Sequence, residues 1–480
     1  MTNNNQNNSF NTGQGLVDRL KRFFTNVVES VSGTEQDFTE GKLSRAILLL
    51  SVPAVLEMIM ESVFVVVDIY FVSKLGANAV ATVGITESMI TIVYAISIGL
   101  ATATTSMVSR RMGEKNRDAA SSVAFQAILT GIAVSLIIGI PGAMNAARLL
   151  RLMGASDLII TKMAGYTTIM LAGNIVIMLL FIINAIFRSA GDAAIAMRVL
   201  WVGNIINIIL DPCLIFGLGP FPHLGVAGAA VATNMGRGIA VLYQFYLLFF
   251  GRKRIKLSFR HLDIDFKLIG KILKLSFGSI GQNLIGTTSW IALVRIISAF
   301  GSEVVAGYTI AIRIVSFVLL PSWGISNAAA TLVGQNLGAK KPDRAEKAAI
   351  ITGLANMILL GTIGIILVII PSPFIRLFIH DPGVLRSGVE CLRIVSMGFI
   401  AYGFGMVMVN SFNGAGDTST PLKINIFAFW FIEIPLAWML AIKSGMNEKG
   451  VFVAIVVAES IMTVTAWIVF RKGKWKLKEV

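Results

Sequence analysis

Charge, cysteine and histidine are all scarce in this chain, and each scarcity closes off a class of protein. Only 14% of the 480 residues are charged, against 55% hydrophobic. A water-soluble fold normally has about a quarter of its residues charged, and one this apolar would show a great deal of its apolar surface to water. A bilayer accepts such surface on the outside of a protein. The two cysteines, Cys213 and Cys391, lie in apolar segments and suggest neither a disulfide framework nor a thiolate metal cluster. The three histidines, His223, His261 and His380, lie in or near loops. There is no paired Asp-rich metal motif, no Ser/His pair in neighbouring spans and no phosphate-binding glycine loop, which makes an intramembrane enzyme a remote reading. No cleavable signal peptide is visible.

What is abundant is apolar sequence in runs of about 20 residues, the length that crosses a bilayer as a helix. Such runs cover 46–72, 80–107, 120–141, 160–186, 194–217 and 225–250, then 270–298, 305–332, 346–370, 384–410, 420–442 and 450–470. They lack the alternation of barrel strands. The fold class is therefore all-α integral membrane, with 12 transmembrane helices. The net charge of +15 resides largely in loops, so it does not signal nucleic acid. Arg110, Arg111, Lys115 and Arg117 follow span two, and Arg252, Lys253, Arg254, Lys256 and Arg260 follow span six. Lys340, Lys341, Arg344 and Lys347 follow span eight, and Arg471, Lys472, Lys474, Lys476 and Lys478 close the chain. The positive-inside rule then places both termini in the cytoplasm and the protein in the cell membrane. Residues 1–15 read as disordered. Leu16, Val17, Leu20, Phe23, Phe24, Val27, Val28 and Val31 form the apolar face of a helix lying on the membrane surface.

The chain also repeats itself. At a constant shift of 225 residues, Ser73 and Gly76 fall on Ser298 and Gly301, and Gly99 on Gly324. Val108, Gly113 and Lys115 fall on Val333, Gly338 and Lys340, and Ala190-Gly191-Asp192 on Ala415-Gly416-Asp417. Composition bias does not supply Gly, Lys and Asp in one gapless register. The expected organisation is a cytoplasmic N-terminus (1–40), an N-lobe of six helices (41–250), a cytoplasmic linker (251–269), a C-lobe of six helices (270–470) and a basic tail (471–480). Six helices per copy make the repeat parallel, related by a pseudo-two-fold axis along the membrane normal.

Ionisable groups inside spans are costly and mark function when they face a cavity or each other. In span one, Glu57, Glu61 and Asp68 fall within roughly a 40° arc above Pro53. Glu57 and Glu61 either hydrogen-bond to neighbouring helices or face a central cleft. Span five carries Asn204, Asn207 and Asp211 on one face, and Pro212 locally breaks the backbone ladder. Asp68, Asn207 and Asp211 make a proton or sodium site. The counterpart of Asp68 is Leu293, so this acidic site belongs to the first half. The second half holds Arg295, Arg313, Glu433 and Glu459; Arg295 is expected to pair with an acid such as Glu433 or to snorkel to a boundary.

These residues carry a family resemblance. Pro53 followed by Val67-Asp68-Ile69-Tyr70-Phe71-Val72-Ser73-Lys74-Leu75-Gly76 and Asn207-Ile-Ile-Leu-Asp211-Pro212 resemble the multidrug and toxic compound extrusion (MATE) transporters. So do Gly225-Val-Ala-Gly-Ala-Ala-Val-Ala-Thr233, Arg188-Ser-Ala-Gly-Asp192 and Asn413-Gly-Ala-Gly-Asp-Thr418, and the likeness covers roughly 39–470. The resemblance implies two six-helix lobes around a cleft and export of amphipathic, often cationic, organic compounds in exchange for H+ or Na+, with no other cofactor. It implies that Asp68 and Asp211 couple to the ion, with Asn207, Thr233 and Tyr166 as hydrogen-bonding partners. A second branch of the family uses acids in spans seven and ten. Span seven offers only Gln282 and Asn283 here, and Glu390 of span ten lies near a boundary, so the N-lobe branch fits. Glu57 and Glu61 depart from that pattern and are expected to widen the cation site or, with Asn204, to contact substrate. The expected partners are small organic molecules and lipid, for a monomeric protein. The competing function is a flippase of the same superfamily for lipid-linked oligosaccharides, which needs Arg295 and Arg313 to point inward.

Overall fold

The computed structural model describes residues 25–33, 36–251, 254–258, 261 and 263–480. In hydrocarbon every backbone N–H and C=O must be satisfied within the chain, so apolar runs of this length fold as helices. The first lobe comprises α1 (Leu43–Ser73), α2 (Ala77–Gly113), α3 (Arg117–Met144), α4 (Ala164–Ala190), α5 (Ala193–Phe216) and α6 (Val226–Phe250). The second comprises α7 (Phe266–Phe300), α8 (Ser302–Gly338), α9 (Pro342–Ile369), α10 (Pro382–Met397 and Phe399–Gly414, bent by 56°), α11 (Ser419–Lys443) and α12 (Glu448–Arg471). Two short helices not anticipated from the sequence, Ala146–Leu152 and Asp157–Lys162, connect α3 to α4. Within its span α6 carries the polar residues Asn234, Arg237 and Gln244. Arg237 and Gln244 are buried, so the polarity of α6 is turned into the lobe rather than toward lipid.

The repeat is visible in the backbone. Lys115 and Lys340, 225 residues apart, both take the rare left-handed conformation at φ 59° and 57°. Gly191 and Gly416 do the same at φ 96° and 86°, where a β-carbon would be strained. The crossings between lobes are paired in the same way. A β-carbon on Gly113 would lie 1.9 Å from the Gln335 carbonyl oxygen, and one on Gly338 would lie 2.1 Å from that of Arg110. Gly99 packs against Ser276 and Ile280 of α7, and its counterpart Gly324 packs against Ala54 and Val55 of α1. Glycine at these positions lets backbones from opposite lobes touch.

Both described ends of the chain lie on one side of the bundle, and that side is closed. Arg110 Nη2 donates to the carbonyls of Ala415 (3.3 Å) and Lys478 (2.6 Å), and Gln335 Nε2 to that of Ser189 (2.7 Å). Lys341 and Arg344 donate to the carbonyls of Thr39 and Glu40. Trp475 is buried against Phe470, and Arg111 reaches the Val480 carbonyl at 3.0 Å. Toward the opposite side no hydrogen bond joins the lobes among the described residues, the nearest being Ser279 Oγ to Thr102 Oγ1 at 3.2 Å. The lobes therefore part away from the termini. Residues 1–24 lie outside the described residues, with them the disordered start and the first half of the surface helix. Residues 25–32 are helical, held by Arg198 to the Val31 carbonyl and by Arg45 to Glu29, each at 2.6 Å. Arg252, Lys253 and Arg260 of the linker also fall outside.

Candidate functional site

The crossing of α5 and α6 builds the first site. A β-carbon on Gly236 would lie 2.5 Å from the Gly203 carbonyl oxygen, so glycine is what allows the two helices to approach. That approach brings Thr233 Oγ1 within 3.2 Å of Asn207 Nδ2, which also donates to Asp211 Oδ1 at 3.3 Å. Asn207 and Asp211 are buried. Asp68, on α1, is half-buried and is an electrostatic neighbour of Asp211. Tyr166 of α4 is buried within the electrostatic reach of both acids. Asp68, Asp211, Asn207, Thr233 and Tyr166 thus come together in one lobe.

Their hydrogen bonding is incomplete in a particular way. Asp68 Oδ1, Asp211 Oδ2, Asn207 Oδ1 and Asn204 Oδ1 are buried and receive no donor. A buried oxygen left unpaired costs free energy, most of all on a carboxylate. A proton or a small hard cation removes that cost. Among the described residues no three His, Cys, Asp or Glu side chains are arranged to hold a metal ion. A sodium ion here would have to draw on the Asn207 and Thr233 oxygens beside the two carboxylates.

Two further charges join this cluster that the sequence reading missed. Arg237 of α6 is buried, pairs with Glu61 at 2.6 Å, donates to the Tyr94 hydroxyl at 3.1 Å and lies over the Phe64 ring at 4.8 Å. Asn204 reaches Glu61 at 3.4 Å. Glu87 of α2 is exposed and is an electrostatic neighbour of Asp68 and Arg237. Both are charges within spans two and six, so the rule that singled out Asp68 also points to them.

Glu57 does not line the cleft. It is 2% exposed, its carboxylate takes Arg188 Nη1 at 2.8 and 3.0 Å and Asn184 Nδ2 at 3.0 Å, and Gln244 closes the network on Asn184 at 2.6 Å. One turn along α1 separates a structural acid from a site acid. The three acids do share one face of α1, turned into the lobe: Glu57 meets Arg188 of α4, Glu61 meets Arg237 of α6, and Asp68 neighbours Asp211 of α5.

The second lobe contains a cavity of about 590 Å³ lined by α7, α8, α10, α11 and α12 and bordered by Thr91 and Ile98 of α2. Arg295 does not pair with Glu433; it is exposed, and Glu433 accepts from Ser289 Oγ at 2.5 Å. Arg313 lines an adjoining cavity of about 380 Å³ between α7 and α8, which shares Trp290 and Ile312 with the first. Glu390 pairs with Lys449 at 3.0 Å. Gln282 and Asn413 bond reciprocally at 3.1 Å.

Comparison with known proteins agrees with this architecture. The sequence model of one family, MatE, matches residues 53–213 and 279–439, one stretch in each lobe. The chain is 24% identical over 439 residues to the probable multidrug resistance protein NorM of Thermotoga maritima, covering 92% of this chain and 94% of that one. It is 24% identical to the FAD transporter of Shewanella oneidensis, covering 88% and 94%. Among solved structures, an outward-facing multidrug resistance MATE family transporter of the MOP superfamily superposes with a TM-score of 0.86 at 24% identity, covering 92% of this chain and 98% of that one.

Proposed function

The chain belongs to the MatE family of membrane transporters, and from that premise we propose that it exports amphipathic organic cations, multidrug-type compounds, in exchange for protons or sodium ions. The observation that carries this reading is the set of buried, donorless oxygens on Asp68, Asp211 and Asn207. Binding a proton or sodium ion there satisfies them and repacks α1, α5 and α6. Because the ion binds one arrangement of these helices better than the other, it biases the lobe equilibrium. Thr233 and Tyr166 act as hydrogen-bonding partners of the acids, and Glu61, held by the buried Asn204, forms the partly exposed edge of the site.

The basic residues around the closed side support a cytoplasmic orientation for it through the positive-inside rule. The lobes then part toward the outside, and the arrangement is the one that releases substrate and admits the coupling ion. The protein works in the cell membrane and as a monomer, since each chain contains both lobes and the cleft between them.

Family membership alone does not choose the charge of the substrate, as the FAD transporter among the relatives illustrates. A lipid-linked pyrophosphate needs a cationic cavity. No Lys, Arg or His lines the larger cavity among the described residues, and neither Arg295 nor Arg313 borders it. Efflux from proteoliposomes decides the matter. Export of ethidium driven by an inward gradient and reduced about tenfold or more by Asp68→Asn is expected; full gradient-driven efflux by that variant contradicts the coupling assignment.

A further inference from the structure

The carboxyl groups of the second lobe have no part in the coupling site, yet they sit where a ligand would meet them. Glu433 of α11 is 2% exposed, with one bond to Ser289 Oγ. Glu459 of α12 leaves a fully buried Oε2 with no hydrogen-bond partner. Both line the cavity of about 590 Å³, within the range of 300–1,000 Å³ typical of sites for drug-sized ligands. The same cavity presents Trp290, Trp323, Tyr402 and Phe429, and no cationic side chain among the described residues.

Two other observations point to the same place. α11 is wound as a π-helix over Ile426–Glu433, ending on the acid itself, and again over Met439–Lys443. Such winding is rare and gathers at functional sites, because it displaces a side chain from the position that regular helix would give it. The repeat supplies the second. At the 225-residue shift Glu433 corresponds to Ile208 and Glu459 to Asn234, each one residue from a member of the first-lobe site, Asn207 and Thr233. The fifth and sixth helices of both lobes therefore carry polar chemistry at the same depth, in carboxylate and amide form in one and carboxylate alone in the other.

We propose that the second-lobe cavity is the substrate site, and that Glu433 and Glu459 bind the positive charge of an amphipathic aromatic cation whose rings stack on Trp290 and Trp323. Carboxylates in a low-dielectric cavity attract a cation strongly, indole faces add cation–π attraction, and with two carboxylates and no basic side chain among its described lining residues the cavity favours cations over anions. This deepens the export reading and rests on it. It also changes how exchange works: ion and substrate occupy different lobes, so each acts on the other through the lobe equilibrium and not by displacement from a shared carboxylate.

The test is equilibrium binding of tetraphenylphosphonium to the purified full chain by isothermal titration calorimetry. The neutral triphenylphosphine oxide, with similar aromatic bulk, is the comparison. Glu433→Gln and Glu459→Gln are expected to weaken the cation roughly tenfold or more while leaving the neutral probe unchanged, and Glu459→Asp is expected to recover part of the loss. Because Gln keeps the shape, an unchanged affinity for the neutral probe shows that the cavity remains folded. Wild-type affinity for tetraphenylphosphonium in both Gln variants overturns the assignment, as does equal weakening of both probes. Gradient-driven efflux on the same preparations separates the two readings: wild-type protein that binds the probe but does not export it contradicts the export function and leaves the site standing.

Discussion

Replacing Gly113 by alanine adds one methyl group at the seam between lobes and should move the whole transporter. The new β-carbon would lie 1.9 Å from the Gln335 carbonyl oxygen, 2.7 Å from its carbonyl carbon and 3.0 Å from the Ala339 nitrogen. The first contact is about 1.5 Å short of ordinary van der Waals distance, and the obstacle is backbone of the other lobe, which cannot rotate aside. Overpacking of this kind costs about 1–3 kcal/mol. The cost falls only on the state in which this side is closed, because opening the seam removes the clash. The equilibrium between lobe arrangements should therefore shift by about 5- to 150-fold toward the state open on the terminal side. Gly338→Ala makes the symmetry-related clash, 2.1 Å from the Arg110 carbonyl oxygen, and should act in the same direction. Once one substitution has parted the seam the second meets less resistance, so the double variant should shift less than the sum of the two. Spin labels on Ser73→Cys and Ser298→Cys, exposed on the opposite side at the ends of α1 and α7, with Cys213 and Cys391 replaced, report the change. Double electron–electron resonance should show a shorter label distance as that side closes. A distance distribution identical to that of the parent protein refutes the role given to the seam.

Other outcomes follow from the same contacts. Arg110→Ala removes two hydrogen bonds from α2 to the second lobe and the tail, and should shift the label distance in the same direction as Gly113→Ala. Glu57→Ala leaves the half-buried Arg188 without its partner and should lower stability by about 3 kcal/mol, read as a drop in melting temperature; the double variant Glu57→Leu with Arg188→Leu should recover most of it. Burial would raise the Asp37 carboxyl, but the Thr39 hydroxyl and amide, Arg254 and Lys115 outweigh it and hold it below the ordinary range. A depressed acid contributes stability above its unfolded pKa and loses it only as pH falls through the lower folded value. Asp37→Asn should accordingly leave the pH profile of transport between about pH 5 and 8 unchanged, and a displaced profile would show that the terminal-side contacts titrate with activity.

Much of the architecture was legible because its signals are long or repeated. Twelve apolar runs give twelve helices, and the gapless 225-residue shift reappears as paired φ values at Lys115 and Lys340 and as paired glycine crossings. The grouping of Asn207 and Asp211 was legible because both lie on one face of one helix, and their partner Thr233 came only with the family resemblance. Contacts between helices were not legible. Nothing in the periodicity of α1 says that Glu57 meets Arg188 while Glu61, one turn on, meets Arg237. The second-lobe acids looked incidental because only the packing of five helices makes them walls of one cavity. The π-helical winding of α11 likewise has no signature in the apolar pattern.

Gradient-driven efflux from proteoliposomes, with the proton and sodium gradients imposed one at a time, tests the central claim most directly. The expected result is ethidium export by the wild-type chain under at least one inward cation gradient, reduced about tenfold or more in both Asp68→Asn and Asp211→Asn. Export that proceeds equally with both gradients collapsed, or at the full rate in both variants, contradicts cation coupling through the first lobe.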